Sequence, residues 1–581
     1  MTEADSRRSC WHDLRDPWLL GALALGLALR AASLGHGLPH VYNPDEVSIL
    51  SRALSLASGD LNPHNFLYPT LYFYLLAAAT GAYAAVSMAA GQSHSLAQFE
   101  TLFWQDPTAV YVVGRLLSVA AGVATIFAVY RLALRVGDRA TARIAALLVA
   151  VAYIPVRDAH FLKHDVPATF LIVLAVLASW WVWQRGLARD YAVGGAAVGI
   201  AFAFHYPAAL AAAALLAAHL LRAPRSVAGL LGPRTWLAVA AFAIAFAVCS
   251  PYVLLDPTTA LRDIQANRAI IVDRAQHVFG LFGSALPQLE ILATQGTGIA
   301  WLVAAVVGGA VLARQSAAAM LWLASFPVVF VVLISNTWPF GRTANPLYPF
   351  LAVMAAVGIV WVGRMFGRRS TFAIIGLASI AVVQPLATSV LFDYLMAQTD
   401  TRTLASQWIE AHLPAGASVA VEPYSVQLET TREQLSAAMQ AAGARRDRGG
   451  RRSHALLART PYPSPAYRLF YVGDGGMDDD KIYLRPLAFS RAITEWPMEE
   501  PCIDYVALKS AAPYGTNPLS PSVARYAQLA HTEDPFAPSV ERATGFLPDF
   551  DVTPSLAVQR PGPRIDVWQI RNRCHLGGVH P

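Results

Sequence analysis

Residues 68–90 read YPTLYFYLLAAATGAYAAVSMAA, and whether this run crosses a membrane decides the orientation of everything after it. It carries no charged side chain, and it matches the roughly 20 apolar residues needed to span a bilayer core. Eleven other apolar runs accompany it: 17–35, 110–134, 142–156, 166–184, 190–205, 207–222, 235–255, 296–313, 317–335, 346–363 and 371–392. The run at 17–35 is full length and follows a polar head of 16 residues without a small-residue cleavage site, so it is expected to be an anchor and not a cleaved signal.

Charge fixes the direction of the spans. Only 14% of the 581 residues are charged, against about 25% in an ordinary soluble domain. Residues 1–392 hold 42 of the 82 charges and residues 393–581 hold 40. The expected organisation is therefore a membrane domain, 1–394, followed by a soluble domain, 395–581. A cytosolic enzyme, a fibrous chain and a disordered chain are excluded. The net charge of +6 is no nucleic-acid signal, because the basic residues sit between apolar runs.

Short cytoplasmic loops carry an excess of Lys and Arg. If 68–90 does not cross, sixteen basic residues fall inside, including Arg7, Arg8, Arg15, Arg131, Arg135, Arg139, Arg143, Arg364, Arg368 and Arg369, against seven outside. If it crosses, every later loop inverts and the bias reverses. The run is therefore expected to lie along or dip into the outer face. That leaves eleven spans, a cytoplasmic N-terminus, and a C-terminal domain outside the cell (inner) membrane. Segments 190–205 and 207–222 are short and are expected to form a tilted hairpin turned by His205-Tyr206-Pro207.

On this topology eleven of the 17 acidic residues before position 393 lie outside, and almost none lies mid-span, where proton relays and transport sites place them. Any chemistry is expected at the outer surface. Three stretches gather the polar residues there. His40-Val-Tyr42-Asn43-Pro44-Asp45-Glu46 reads as a helix start, with Pro44 first and two acids in the opening turn. Capping does not exclude catalysis, since a helix N-terminus holds a carboxylate rigidly. Arg157-Asp158-Ala-His160-Phe-Leu-Lys163-His164-Asp165 packs six ionisable residues into nine, and Lys163 is the only lysine in the first 480 residues. It reads as a solvated connector, as a site for an anionic headgroup, or as a metal site built from Asp158, His160, His164 and Asp165; the interspersed basic residues argue against metal. In Trp338-Pro-Phe-Gly-Arg342-Thr-Ala-Asn345-Pro346-Leu-Tyr348-Pro349, Arg342 is the lone charge between two apolar runs. It either snorkels or binds phosphate through its planar fork.

In the soluble part, Arg402–His412 reads as a helix, and 418–421, 504–508 and 564–570 read as strands of a small α/β fold. The basic run Arg445–Arg452 is expected to be a solvated loop, and Asp478-Asp-Asp480 a turn, with calcium as the alternative. Cys502 and Cys574 both fall in this domain and are a candidate pair; the four cysteines have no metal-ligand spacing.

Taken in order, these pieces resemble the GT-C class of membrane glycosyltransferases, in the branch that groups protein O-mannosyltransferases with lipid A aminoarabinose transferases. The carriers are Asp45-Glu46, Gly59-Asp60, Tyr68-Pro69-Thr70-Leu-Tyr72-Phe-Tyr74, Arg115-Leu-Leu-Ser118, Asp158 to Asp165, Arg342 to Pro349, and Asp400-Thr-Arg402-Thr-Leu-Ala-Ser-Gln-Trp408-Ile409. Leu413-Pro-Ala-Gly416 and Glu422-Pro-Tyr424 follow. The resemblance implies a GT-C fold with helices of the first external loop lying on the membrane face. It also implies an inverting transfer of one sugar, hexose or pentose, from a polyprenyl-phosphate carrier to an acceptor hydroxyl on a lipid, a polysaccharide or a protein. The first acid of the pair is then the base, which maps onto Asp45.

Relatives carry a Lys or His before a Pro-Pro in the first loop where this chain has Leu67-Tyr68-Pro69-Thr70, so Lys163 or His64 is expected to take over that phosphate contact. Glu46 positions Asp45 or meets the sugar. Lys163, His164 and Arg342 are the expected cations for the leaving phosphate, with Arg268 and Arg274 behind them; Tyr68, Asp158, His160 and Asp165 complete the expected substrate contacts. No particular cofactor is implied, a divalent cation stays open, and the partners are the lipid-linked donor, the acceptor and membrane lipid. The alternatives are a lipid-sugar flippase and a non-catalytic glycan-binding protein.

Overall fold

The computed structural model describes residues 13–222, 226–422, 425–441, 448–471, 485–486, 502–510, 520–536, 554 and 556–571. The chain divides into two compact units. One comprises residues 1–34, 45–81 and 111–393, and the other residues 35–44, 82–110 and 394–581. Two pieces of the expected membrane domain, 35–44 and 82–110, thus group with the C-terminal unit.

The first unit is helical. Six helices are long and apolar enough to cross a membrane, or up to eight when two bent pairs are each taken as one. Shorter apolar helices cover Pro17–Ala31, Tyr206–Arg222 and Pro233–Cys249. This is fewer full-length spans than the eleven expected, because several runs are shortened or broken. The hairpin turn is extended at His205, and a tight helical turn, Tyr206–Ala211, follows it. Close approach of helices is made possible by glycine. A Cβ on Gly195 would collide with the Ala238 carbonyl oxygen, and one on Gly308 with that of Met354. Helix Ala188–Phe204 thereby meets Pro233–Cys249, and Ile299–Gln315 meets Tyr348–Arg364, backbone against backbone.

Polar contacts separate into two ends. At one end Arg131 Nη1 donates to Asp13 Oδ2 at 2.6 Å, Arg143 Nε to Asp16 Oδ2 at 2.8 Å, and Arg185 Nη2 to Asp190 Oδ1 at 2.6 Å. At the other, Asn62 donates to Asp256, the Phe66 amide to Asp263, and Arg342 to Asp45. Helix Thr108–Val136 runs between the ends, from Arg115 beside Glu46 to Arg131 beside Asp13. Helix Leu71–Ala89 is long enough to cross by composition. Between it and Thr108, however, the only helix is Leu96–Gln105, ten residues or roughly 15 Å long. Residues 90–107 hold no second helix of membrane-spanning length.

In the second unit, six strands form one mixed sheet: β1 (Ser418–Val421), β2 (Arg468–Tyr471), β3 (Arg485–Pro486), β4 (Tyr505–Ser510), β5 (Ala527–Glu533) and β6 (Arg564–Ile570). The order is β3-β2-β1-β4-β6-β5; β1 to β4 pair in parallel, and β6 pairs antiparallel with β4 and β5. Alternate side chains feed two cores. Val419, Val421, Leu469 and Val567 pack under helix Thr401–His412 through Ala405 and Ile409, and Ala420, Phe470, Val506 and Leu508 pack on the opposite face with Val523. A buried knot ties three segments of this unit together. Arg402 forks onto Asp400 at 2.8 and 2.7 Å and lies 3.9 Å over the Tyr42 ring, and the Thr401 hydroxyl donates to the Pro563 carbonyl at 2.6 Å.

The basic run expected as a loop is helical from Arg448 to Leu457, and Arg445 lies outside the described residues. Asp478 to Asp480 and Cys574 also lie outside them; Cys502 takes part in a disulfide.

Candidate active site

Helix Pro44–Ser55 begins with proline and carries Asp45 and Glu46 in its first turn. Successive residues on a helix point about 100° apart, and the two acids accordingly meet different surroundings. Glu46 is fully buried. Its Oε1 accepts from Arg115 Nε at 2.9 Å and from the Leu162 amide at 2.8 Å, and its Oε2 accepts from Arg115 Nη2 at 2.9 Å. Both oxygens are engaged and shielded, which leaves the expected contact with a sugar no room.

Asp45 keeps 39% of its side chain exposed and holds two cations on one oxygen. Lys163 Nζ is 3.1 Å from Oδ2 and Arg342 Nη1 2.5 Å from it. The Lys163 ammonium first, and the Arg342 guanidinium with it, hold the carboxyl well below the usual carboxylate range against the opposing effect of burial. Residues 118 and 297 positions away in sequence thus converge on one atom.

Lys163 is aimed by the segment around it. The Ser118 hydroxyl contacts the Phe161 carbonyl at 2.8 Å and the Lys163 carbonyl at 3.2 Å, while Glu46 holds the intervening Leu162 amide. Of the readings open for this segment, the solvated connector is ruled out, because Arg157, Asp158, His160, Lys163 and His164 are all buried. Asp158 is used up by Arg157 Nε at 2.7 Å and Asn345 Nδ2 at 2.6 Å, and His160 faces Asp393 at 3.2 Å. Asp165 opens the helix Asp165–Gln184. The four residues considered as metal ligands do not converge, and no group of three or more metal-ligating residues occurs among the described residues.

The His164 ring packs against that of Tyr68, tilted by 46° with centroids 3.8 Å apart, and lies 4.8 Å from that of His205. Burial, with the Arg342 charge beside it, pushes its imidazole down to about 3. It is neutral at physiological pH, which corrects the expectation that it supplies a cation. His64 is also displaced from the expected role: it is exposed and pairs with Asp60 at 2.7 Å. Arg268 is exposed and pairs with Asp273 at 3.3 Å, and Arg274 lies 4.1 Å over the Trp338 ring. Neither arginine shares a partner with Asp45.

The structure therefore brings Asp45, Lys163 and Arg342 together, with Tyr68 and His164 beside them. Arg115, Ser118, Asn345 and His205 join them without having been expected to. Arg115 has a legible signal, a lone charge inside an apolar run, which in a span demands a partner.

Residues 99–254 match the model of a GT-C family described as dolichyl-phosphate-mannose-protein mannosyltransferase. A sequence search of curated proteins finds no match. Among solved structures, the chain is similar to an Archaeoglobus fulgidus oligosaccharyltransferase tethered with an acceptor peptide, at 13% identity and a TM-score of 0.42, over 71% of this chain and 61% of that one. It thus spans about three fifths of that relative's length. It is also similar to ArnT from Cupriavidus metallidurans bound to undecaprenyl phosphate, at 12% identity and a TM-score of 0.47, over 98% of this chain and 100% of that one. A third similarity is to the archaeal oligosaccharyltransferase AglB from Archaeoglobus fulgidus in complex with an inhibitory peptide and a dolichol-phosphate, at 12% identity and a TM-score of 0.44, over 92% of this chain and 74% of that one.

Proposed function

We propose that this chain is a GT-C class glycosyltransferase with eleven membrane crossings, which moves one sugar from a polyprenyl-phosphate carrier to an acceptor hydroxyl on the extracytoplasmic side, with inversion. The observation that carries the reading is Asp45: a half-open carboxylate on a rigid helix start, bridged by two cations from distant parts of the chain.

The chemistry follows from that bridge. The acceptor oxygen attacks the anomeric carbon, the bond from that carbon to the phosphate oxygen breaks, and the hydroxyl proton passes to Asp45. A carboxylate held this far down is a poor base while both cations sit on it. An arriving phosphate diester offers them a second anion. As Lys163 and Arg342 turn toward it, Asp45 is released from the charges that depress it and becomes basic when the donor is in place. The same cations then stabilise the departing phosphate monoester. Base and leaving-group stabilisation are thereby coupled through one ion pair. Neutral His164 on the Tyr68 ring contributes shape and hydrogen bonding at the rim.

The test is release of polyprenyl phosphate from a panel of polyprenyl-phosphate monosaccharides, with membrane extract as acceptor source, for wild type and Asp45→Asn. Loss of release by roughly 10²- to 10⁴-fold with donor binding retained is expected. Donor-dependent lipid flux that is indifferent to Asp45→Asn would sink the reading and favour a flippase.

A further inference from the structure

Helix Arg139–Val151 and helix Tyr153–Ala159 meet at a 54° bend. The cause is in the sequence. Pro155 has no amide hydrogen to give the Val151 carbonyl, and its ring excludes the continuous helix, so the chain opens at Ala152, with φ −58° and ψ 119°. Opening it strips three carbonyls, those of Val149, Ala150 and Val151, of the amides four residues on. Inside an apolar bundle such groups must find other donors.

All three find side chains. Arg30 Nη2 donates to the Val149 carbonyl at 3.0 Å, Arg30 Nη1 to that of Ala150 at 2.9 Å, and the Ser389 hydroxyl to that of Val151 at 3.0 Å. Arg30 belongs to helix Pro17–Ala31 and is 1% exposed. A charge buried in a span is costly without a task. Here the fork fits two adjacent carbonyls, a geometry that an ammonium on a flexible stem does not reproduce.

We propose that Arg30 is a positioning residue for the transfer site. It replaces the donors missing from the break, holds Tyr153–Ala159 at its angle, and through that segment sets Lys163 on Asp45. The proposal rests on the transferase reading for its functional half; its structural half stands apart from it.

The experiment uses the full chain in lipid nanodiscs. Hydrogen exchange over residues 149–163 is expected to speed up by about tenfold or more in Arg30→Met, as two bonds from a charged donor are lost, with helix Ala317–Ile334 unchanged. Arg30→Lys is expected to restore this in part only, and Ser389→Ala to give a smaller change at the same peptide. In donor turnover, Arg30→Met is expected to raise KM as Lys163→Met does, and the double variant to lose no more than Lys163→Met alone, because both act through one contact. Unchanged exchange at 149–163, or fully additive losses in the double variant, overturns the proposal. If Arg30→Met does not fold, Arg30→Lys and Ser389→Ala carry the same comparison. Silence of the wild type toward every donor fails the transferase reading, while the exchange result still decides whether Arg30 holds the break.

Discussion

Asp45 and Glu46 are neighbours in one helical turn, yet their surroundings are opposites. Glu46 faces a single arginine whose fork fills both its oxygens, with a backbone amide completing the shell and no access to solvent. Asp45 faces two cations crowded on one oxygen, with part of the carboxylate open. The Asp400–Arg402 pair in the sheet-bearing unit is of the Glu46 type: bidentate, buried and closed. A balanced, fully coordinated pair has nothing left to offer a ligand. A pair with an excess of positive charge and an open side is incomplete until an anion joins it. Charge type does not separate structure from chemistry here; stoichiometry and exposure do.

The comparison is broken most severely by Asp45→Asn, for which turnover is expected to fall by roughly 10²- to 10⁴-fold while the thermal midpoint in detergent stays put. Glu46→Gln and Arg115→Met should do the reverse kind of damage. Each leaves a buried partner unmatched and is expected to cost about 3–5 kcal/mol of stability, with the double variant recovering part of it; thermal unfolding of all three measures this. A double variant as unstable as the sum of the singles contradicts the closed-pair account.

Lys163→Met and Arg342→Met sharpen the contrast from the cation side. Each removes one charge-assisted contact, about 1.5–3 kcal/mol, and is expected to weaken donor use about 10- to 100-fold in kcat/KM. The pH dependence follows from the same pairing. Because the folded carboxyl of Asp45 lies below its unfolded value of about 3.9, the pair's contribution to stability is present above that pH and is lost only as pH falls through the depressed value. The acid limb of kcat/KM for the free enzyme therefore lies below the usual carboxylate range. Lys163→Met, which removes the largest cause of the depression, moves it upward. The smallest effect is expected for His164→Asn, a few-fold at most and flat between pH 5 and 8, since the imidazole stays neutral throughout that window.

Much of the site is legible in the sequence, and what is not has a common origin. Charges next to apolar runs are expensive, so the Asp45-Glu46 pair, the cluster around Lys163 and the lone Arg342 stand out by position and residue type alone. Counting arginines bears on whether 71–89 crosses, while its length and composition alone would let it span. Charges inside the runs are harder to interpret, although Arg30 and Arg115 are equally expensive there and hold the frame of the site. Pairing across 297 residues, as between Asp45 and Arg342, leaves no local trace. His64 and Arg268 look equivalent to Lys163 because residue type says nothing about direction; one faces Asp60 and the other Asp273. In the sheet, β1 is a short run with two valines and β6 alternates Ile565 and Val567 with Arg564 and Asp566, and their expected bounds agree with those observed. The edge strand β5, Ala527–Glu533, mixes polar and small residues and is bulged near Leu529, so its pattern carries no period of two.

Direct backbone contact at glycine has a mechanical consequence. Where a carbonyl fills the place of a Cβ, as at Gly195 and Gly308, no side chain stands between the helices to yield or rotate. Each of those helix pairs is expected to resist relative sliding, and bending to fall on the breaks between helices. The sharper of the two bent apolar helix pairs among the described residues is the 113° corner between Ala285–Gly296 and Ile299–Gln315, turned at Gly298 with φ +78°. A substitution that locks this corner tests how far the helical unit must flex to admit a substrate, independently of any group that touches it.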